Sequence, residues 1–133
     1  MSDQIKHECG LAVVRLLKPL AYYHEKYGTA LYGLQKIHLL LQKMRNRGQD
    51  GAGVATIKLN APPGSRYISR KRSNNQNYLK DLFDQVFTYF NNLTPEQIND
   101  PVWLKEHVPF TGEVLMGHLR YGTHGSNRNE KKY

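Results

Sequence analysis

Disulfides, zinc-binding clusters and membrane-spanning runs are all missing from this sequence of 133 residues. It has a single cysteine, which cannot form an internal disulfide, and no Cys/His cluster of the kind that holds zinc. The longest apolar runs, such as 11–14, are far shorter than the roughly 20 residues needed to cross a bilayer. Segment 1–8 has no apolar core that would make it a secretory signal. These absences predict a soluble, cytoplasmic domain that uses no metal or cofactor.

Acidic residues are also scarce. The chain has 11 Asp and Glu against 19 Lys and Arg, which gives a formal charge of +8. The basic residues are spread thinly except in segments 66–72 and 128–132, which we interpret as solvated loops. A basic nucleic-acid-binding module would instead show aromatic and basic residues in an ordered pattern, and its binding would fall steeply with salt. With 39% hydrophobic residues, the chain can form a compact core. Because it has neither the ordered aromatic and basic pattern nor a long apolar run, it is expected to bind neither nucleic acid nor membrane.

Hydrophobic patterning predicts an α+β fold. Apolar runs predict strands over 11–17, 54–59 and 113–121, with 67–69 as the short far arm of a hairpin. Apolar residues at three- and four-residue steps predict helices over about 27–45 and 78–93. Two short helices are predicted to start after Thr94, which opens a capping box, and after Asp100. Segments 48–53 and 70–77 are predicted to be a glycine turn and a polar loop, with Gly48 in the left-handed conformation.

Three segments could carry chemistry. They are Cys9 with Gly10, segment 47–53 (Arg-Gly-Gln-Asp-Gly-Ala-Gly) and segment 117–125 (Gly-His-Leu-Arg-Tyr-Gly-Thr-His-Gly). Each is weak alone, because a lone cysteine is most often a small buried hydrophobe and a glycine-rich turn is usually only a turn. The turn is also no phosphate loop, since it lacks the Lys-Ser/Thr pair and precedes a strand.

In this order and spacing, the three segments resemble the class II glutamine amidotransferases, and most closely the glutaminase domain of the amidophosphoribosyltransferases of purine biosynthesis. The resemblance covers 9–125. It implies a partial four-layer αββα sandwich of antiparallel sheets, of the N-terminal nucleophile hydrolase type, truncated at its C-terminal side. It also implies that 1–8 is a propeptide-like segment. Segment 126–133 departs from the family and is expected to be a disordered tail.

The resemblance implies a specific chemistry. Cys9, once it is the first residue, would attack the side-chain amide of glutamine, with its own α-amine as the base, to release ammonia and then glutamate. Arg120 would pair with the α-carboxylate of glutamine, and Thr123 would add a hydroxyl donor. Arg47 and Gly48 would shape the wall beside Cys9. Asp50 is as plausible a cap for the turn as a ligand contact.

Histidine has no required place in this mechanism, because the α-amine acts as the base. His38 lies at the edge of a helical apolar stripe and is expected to pack there. His107 is expected in a loop, and His118 is expected to be a strand residue within the third motif.

The sequence also departs from the family. It lacks, in matching places, the Asn-Gly pair of the oxyanion hole and the acidic group that binds the substrate amine. Loss of one oxyanion-hole donor costs about 100- to 1000-fold in rate, so the chain alone is expected to be nearly inactive. Its expected partners are glutamine and the remainder of the enzyme, including a phosphoribosyl transfer domain, in a homo-oligomer.

Two alternatives remain. Segment 123–125 (Thr-His-Gly) is closer to the glutaminase domain of the glucosamine-6-phosphate synthases, although Gln49 favours the first assignment because those enzymes usually carry an aromatic residue there. The other alternative is an inactive interaction fragment, which is favoured if segment 1–8 is never removed.

Overall fold

A computed structural model describes residues 10–122 of the chain, which contain one antiparallel sheet of four strands in the order β1-β4-β2-β3. β4 pairs with both β1 and β2, so the last strand in the sequence lies inside the sheet. The strands are β1 (Gly10–Arg15), β2 (Gln49–Ile57), β3 (Ile68–Ser73) and β4 (Val114–Tyr121).

Five helices accompany the sheet in this part of the chain. They are α1 (Leu20–Tyr27), α2 (Tyr32–Met44), α3 (Tyr78–Phe87), α4 (Pro95–Ile98) and α5 (Pro101–His107). A 3-10 turn, Thr88–Phe90, extends α3. The predicted capping box is present at Thr94, and the carboxyl of Asp100 accepts a hydrogen bond from the Trp103 N–H at 3.0 Å, so both predicted helix starts are confirmed.

The main core lies between one face of the sheet and helices α2 and α3. α2 packs against β1 and β4, and α3 packs against β2 and β3. Gly117 makes the close approach of α2 possible, because a Cβ there would lie only 2.8 Å from the Leu41 Cδ1. The most deeply buried side chains of this core are Leu34, Ile37, Leu41, Leu82, Phe83, Val86, Phe110, Leu115 and Leu119.

The opposite face of the sheet is not covered by any described element. Leu11 and Val13 of β1 are 70% and 55% exposed there, and Ile68 of β3 is 43% exposed. Arg70 and Arg72 of β3 are also exposed, so this open face combines apolar side chains with basic ones. Large aliphatic side chains on a sheet face are normally buried, and their exposure here marks a surface available for contact.

A second, smaller core joins α1 and α5. It is built on Leu16, Leu20, Ala30, Leu104 and Val108, all of which are buried.

The predicted α+β class with antiparallel strands is confirmed, and the differences are local. The predicted helix over 27–45 is wrong at its start, since Gly28, at φ +85°, ends α1 and α2 begins at Tyr32. The glycine turn and the polar loop were also predicted wrongly in part, because 49–53 and 70–73 belong to β2 and β3, where they form ladder hydrogen bonds. The helix predicted to reach position 93 ends at Phe87, and His107 closes α5 rather than lying in a loop.

Candidate functional site

Three of the predicted site residues are described, and Arg47, Gly48 and Arg120 lie at or beside one end of the sheet. Gly10, at the start of β1, pairs with Leu119, and Gln49, at the start of β2, pairs with Tyr121. Antiparallel pairing therefore brings the first residues of two strands beside the last residues of β4. This sheet end is the candidate site.

Arg120 is the cation of the candidate site. Its Nε lies 3.6 Å from the Asp50 Oδ1, which is an ion pair but longer than a charge-assisted hydrogen bond of about 2.7–2.9 Å. Gly51 lies opposite Arg120 in the ladder, so the backbone of β2 passes beside the arginine stem. A Cβ at Gly51 would lie 3.4 Å from the Arg120 Cγ, which is an ordinary contact distance.

Asp50 sits where the ladder between β2 and β4 is irregular, between Gln49 and Gly51. Its side chain is half-exposed, yet its Oδ1 is buried and accepts no hydrogen bond from the described residues. A side chain at Gly122 would collide with this carboxylate. A buried carboxylate oxygen without a donor is costly, and a functional role is one reason for such an atom to persist.

The loop between α2 and β2 forms the wall beside this pair. Gly48 has φ +88°, as predicted, although it lies in the loop and not directly after the helix. A Cβ at Gly48 would lie 2.9 Å from the Tyr121 ring. Glycine is therefore required here both because the backbone is left-handed and because a side chain would collide with this ring. The turn is capped by Gln49, whose Oε1 accepts the Asn46 N–H at 2.7 Å, and not by Asp50. The Arg47 side chain is exposed in this loop.

Two residues of the site were missed by the sequence analysis. Tyr78, the first residue of α3, is buried, and this burial raises the pKa of its phenol. The charge of Arg45 opposes the change, whereas Asp50 and Tyr121 raise the pKa further. Met44, the last residue of α2, places its terminal methyl over Gly10, where a Cβ would lie 2.7 Å away. Both lie at helix ends, where the apolar pattern of a helix does not reveal which neighbour a side chain will meet.

His118 lies on the open face, two residues before Arg120. Its ring covers Gly53 of β2, where a Cβ would come within 2.5 Å of the Nε2. Burial lowers the pKa of His118, and the nearby charges of Arg120 and Arg72 lower it further. The ring is therefore biased to the neutral form beside two guanidinium groups.

Cys9 and Thr123, the predicted nucleophile and hydroxyl donor, lie outside the described residues. Their described chain neighbours, Gly10 and Gly122, both belong to the candidate site. Within 10–122, no group of three His, Cys, Asp or Glu side chains is placed to hold a metal ion. The same residues contain no helix that is long and apolar enough to cross a membrane.

Comparisons with models of known protein families, with curated proteins and with solved structures return no match to this chain. A guanidinium and a carboxylate side by side, both accessible at a sheet end, can receive the two charged groups of an α-amino acid.

Proposed function

We propose that this chain is the N-terminal part of a glutaminase domain of the class II glutamine amidotransferase type, closest to the amidophosphoribosyltransferases. Its substrate is glutamine, which is hydrolysed to glutamate and ammonia. The observation that carries the proposal is the convergence of Gly10, Asp50 and Arg120 at one end of the sheet. They come from three distant parts of the sequence, which are the three segments that carry the resemblance.

Arg120 and Asp50 suit the α-carbon end of glutamine. The planar guanidinium of Arg120 matches a carboxylate and can bind it through two parallel hydrogen bonds. The Asp50 side chain is half-exposed, so its carboxylate offers an acceptor and a negative charge to the α-ammonium. Asp50 thus supplies the acidic group that the sequence lacks at the place where the family carries it.

Cys9 is the proposed nucleophile and precedes Gly10 in the chain. After cleavage of the bond between Glu8 and Cys9, the new α-amine has a pKa of about 7.7–8.0 and can accept the thiol proton near neutral pH. The thiolate then attacks the side-chain amide carbon of glutamine. The α-ammonium returns its proton to the leaving nitrogen, so that the C–N bond breaks, ammonia departs and a thioester remains. Water hydrolyses the thioester to glutamate and regenerates the thiol.

The fold supports a layered sandwich. The described residues form one sheet with helices on one face, and the other face exposes Leu11 and Val13. In the proposed αββα arrangement, a second antiparallel sheet packs on this open face, which explains the exposed aliphatic side chains. We propose that the remainder of the enzyme supplies that sheet, the oxyanion hole and the phosphoribosyl transfer domain, and that the whole enzyme is a cytoplasmic homo-oligomer.

Titration with glutamine tests the proposal directly. Amide signals of Gly51 and Tyr121 in a 1H-15N NMR spectrum are expected to shift saturably with L-glutamine. Arg120→Met is expected to weaken binding by about tenfold or more, because it removes a charged hydrogen-bond donor. Arg70→Met, a change on the same sheet face, serves as the matched control and should bind like the parent. Equal affinities of the two variants would overturn the proposal.

A second candidate function is favoured by the exposure of Leu11 and Val13 on the open face. It is an inactive chain that serves as an interaction fragment and uses this face to bind another protein. The two candidates differ in their chemistry, because the interaction fragment needs neither removal of 1–8 nor a reactive Cys9. Reaction of Cys9 with a glutamine analogue would exclude it.

A further inference from the structure

A cleft lies at the opposite end of the sheet from the candidate site. Its volume is about 510 Å³, within the usual range for small-molecule pockets of about 300–1,000 Å³. Lys58, which follows β2, lies in its wall, whereas Gly48 precedes β2. The nine residues of the strand separate the two sites by about 30 Å at 3.3 Å per residue. The cleft is therefore not a part of the proposed glutamine site.

One wall of the cleft is apolar and stiff. It is formed largely by prolines and aliphatic residues, namely Pro19, Leu20, Pro62, Pro101 and Val102. Proline has a fixed φ and few side-chain rotamers, so such a wall loses little entropy when a ligand covers it.

The polar part of the cleft centres on Lys58. Its ammonium donates to the carbonyl oxygens of Lys105 at 2.6 Å and Val108 at 2.9 Å. An ammonium group has three N–H donors, so one is left after these two bonds. The side chain is half-buried, and this burial lowers its pKa, as does Lys105, while Glu113 opposes the change.

The neighbouring carboxylate is already engaged. Glu113 is only 6% exposed, its Oε1 accepts the Leu59 N–H at 2.8 Å, and its Oε2 pairs with the Lys105 Nζ at 2.7 Å. No carboxylate of the described residues lies within ion-pair distance of the Lys58 Nζ. Lys58 is thus a half-buried cation whose two partners are neutral carbonyls.

We propose that this cleft binds a small organic anion, whose carboxylate or phosphate group accepts the third N–H of Lys58 and whose apolar body lies on the proline-rich wall. The cationic side chains Lys58, Lys105 and Arg66 outnumber the carboxylates of Glu106 and Glu113 in the lining, which favours an anion over a cation or a neutral ligand. The ammonium is held in place by the two carbonyls before the ligand arrives, so little ordering is required on binding.

Two probes distinguish the possible head groups. Octanoate presents a carboxylate on an aliphatic body, and phenyl phosphate presents a phosphate on an aromatic one. At least one of them is expected to shift the amide signals of Leu59 and Glu113 saturably, with a Kd of about 1 mM or tighter. A response to octanoate alone assigns a carboxylate, and a response to phenyl phosphate alone assigns a phosphate.

Variants of the chain identify the binding contacts. Lys58→Met keeps the apolar stem and should weaken binding by about tenfold or more. Val102→Trp leaves Lys58 intact and should also weaken binding, because the indole fills the apolar part of the cleft. Lys43→Met, at an exposed position of α2, is the matched charge control and should bind like the parent. Absence of a saturable shift with both probes, or equal binding by the Lys58 and Lys43 variants, would overturn the proposal.

Discussion

The Arg120 Nε and the Asp50 Oδ1 lie 3.6 Å apart at the sheet end where β1 and β2 begin. The two charges attract each other at this distance, but the geometry leaves the Asp50 Oδ1 without a hydrogen bond from the described residues. A pair of this kind contributes little to stability, because partly exposed ion pairs contribute about 0–1 kcal/mol. The pair can instead bind a ligand that carries one positively and one negatively charged group.

Asp50→Asn separates the binding role of this carboxylate from a structural one. The amide keeps the shape and removes the charge, so glutamine binding should weaken by about tenfold while the free energy of unfolding changes by less than about 1 kcal/mol. Calorimetric titration and urea denaturation measure the two quantities. Asp84→Asn, which breaks an exposed pair with Lys80 on α3, is the control and should leave glutamine affinity unchanged. Unchanged affinity in Asp50→Asn would contradict the assignment of the α-ammonium to this carboxylate.

We expect the loss of stability on replacing a glycine with alanine to depend on which atoms the added Cβ contacts. Gly112→Ala places it 2.5 Å from the Ile57 carbonyl oxygen, a backbone atom of the sheet. Gly117→Ala places it 2.8 Å from a methyl of Leu41, which can shift within the core at a cost of about 1–3 kcal/mol. The atoms nearest to a Cβ at Gly53 all belong to the His118 ring, a side chain that can turn aside without moving the backbone. Thermal melts should therefore show the largest loss of Tm for Gly112→Ala and the smallest for Gly53→Ala, and a reversed order would refute this packing.

The open face of the sheet should tolerate charge in this chain. Leu11→Lys is expected to change the free energy of unfolding by no more than about 0.5 kcal/mol, because the side chain is 70% exposed. Leu119→Ala, on the covered face, should cost about 2–5 kcal/mol. Urea denaturation of both variants makes the comparison. A loss for Leu11→Lys as large as that for Leu119→Ala would mean that the face is covered in solution.

Stability should fall as the pH drops below 6.5, the ordinary pKa of histidine. The His38 ring stacks on the Phe83 ring, with the two ring centroids 4.0 Å apart. Burial lowers the pKa of His38, and the charge of Asp84 opposes this change. Burial also lowers the pKa of His118, and the charges of Arg120 and Arg72 lower it further. Both folded-state pKa values lie below those of the unfolded chain. The unfolded state therefore takes up protons first, and stability that is fully present above pH 6.5 is lost as the pH falls towards the folded-state values.

NMR titration of the two imidazole rings checks this prediction. Both rings should titrate below pH 6.5 in the folded protein, and His38→Gln should flatten the dependence of unfolding free energy on pH. Titration of either ring above 6.5 would refute its assigned environment.

Strands β1 and β4, the second half of β2 and the amphipathic helix α2 could be predicted from local patterns. Apolar runs indicate buried strands, and helical spacing of apolar residues indicates the buried face of a helix. The pairing of segments 49–53 and 70–73 as strands of the sheet could not be predicted in this way. Those segments, rich in glycine or in basic residues, have low strand propensity of their own and become strands because β4 and β2 provide ladder partners.

The candidate site was predictable only in part. Arg120 and Gly48 stood out through the motif they belong to, and Gly48 indeed takes the left-handed conformation. Asp50 could not be distinguished from a capping residue, because its approach to Arg120 depends on how β2 pairs with β4, and that ladder is irregular between Gln49 and Gly51. Tyr78 and Met44 enter the site through helix packing, which has no signature in the residues themselves.

The intact mass of the chain after incubation with a diazoketone analogue of glutamine tests the central claim most directly. The sequence has one cysteine, so a single adduct identifies its position without ambiguity. The proposed function predicts loss of 1–8 and one adduct on Cys9, prevented by excess L-glutamine and absent in Cys9→Ala. A chain that keeps 1–8 and gains no adduct would contradict the claim that this sheet end belongs to a glutaminase.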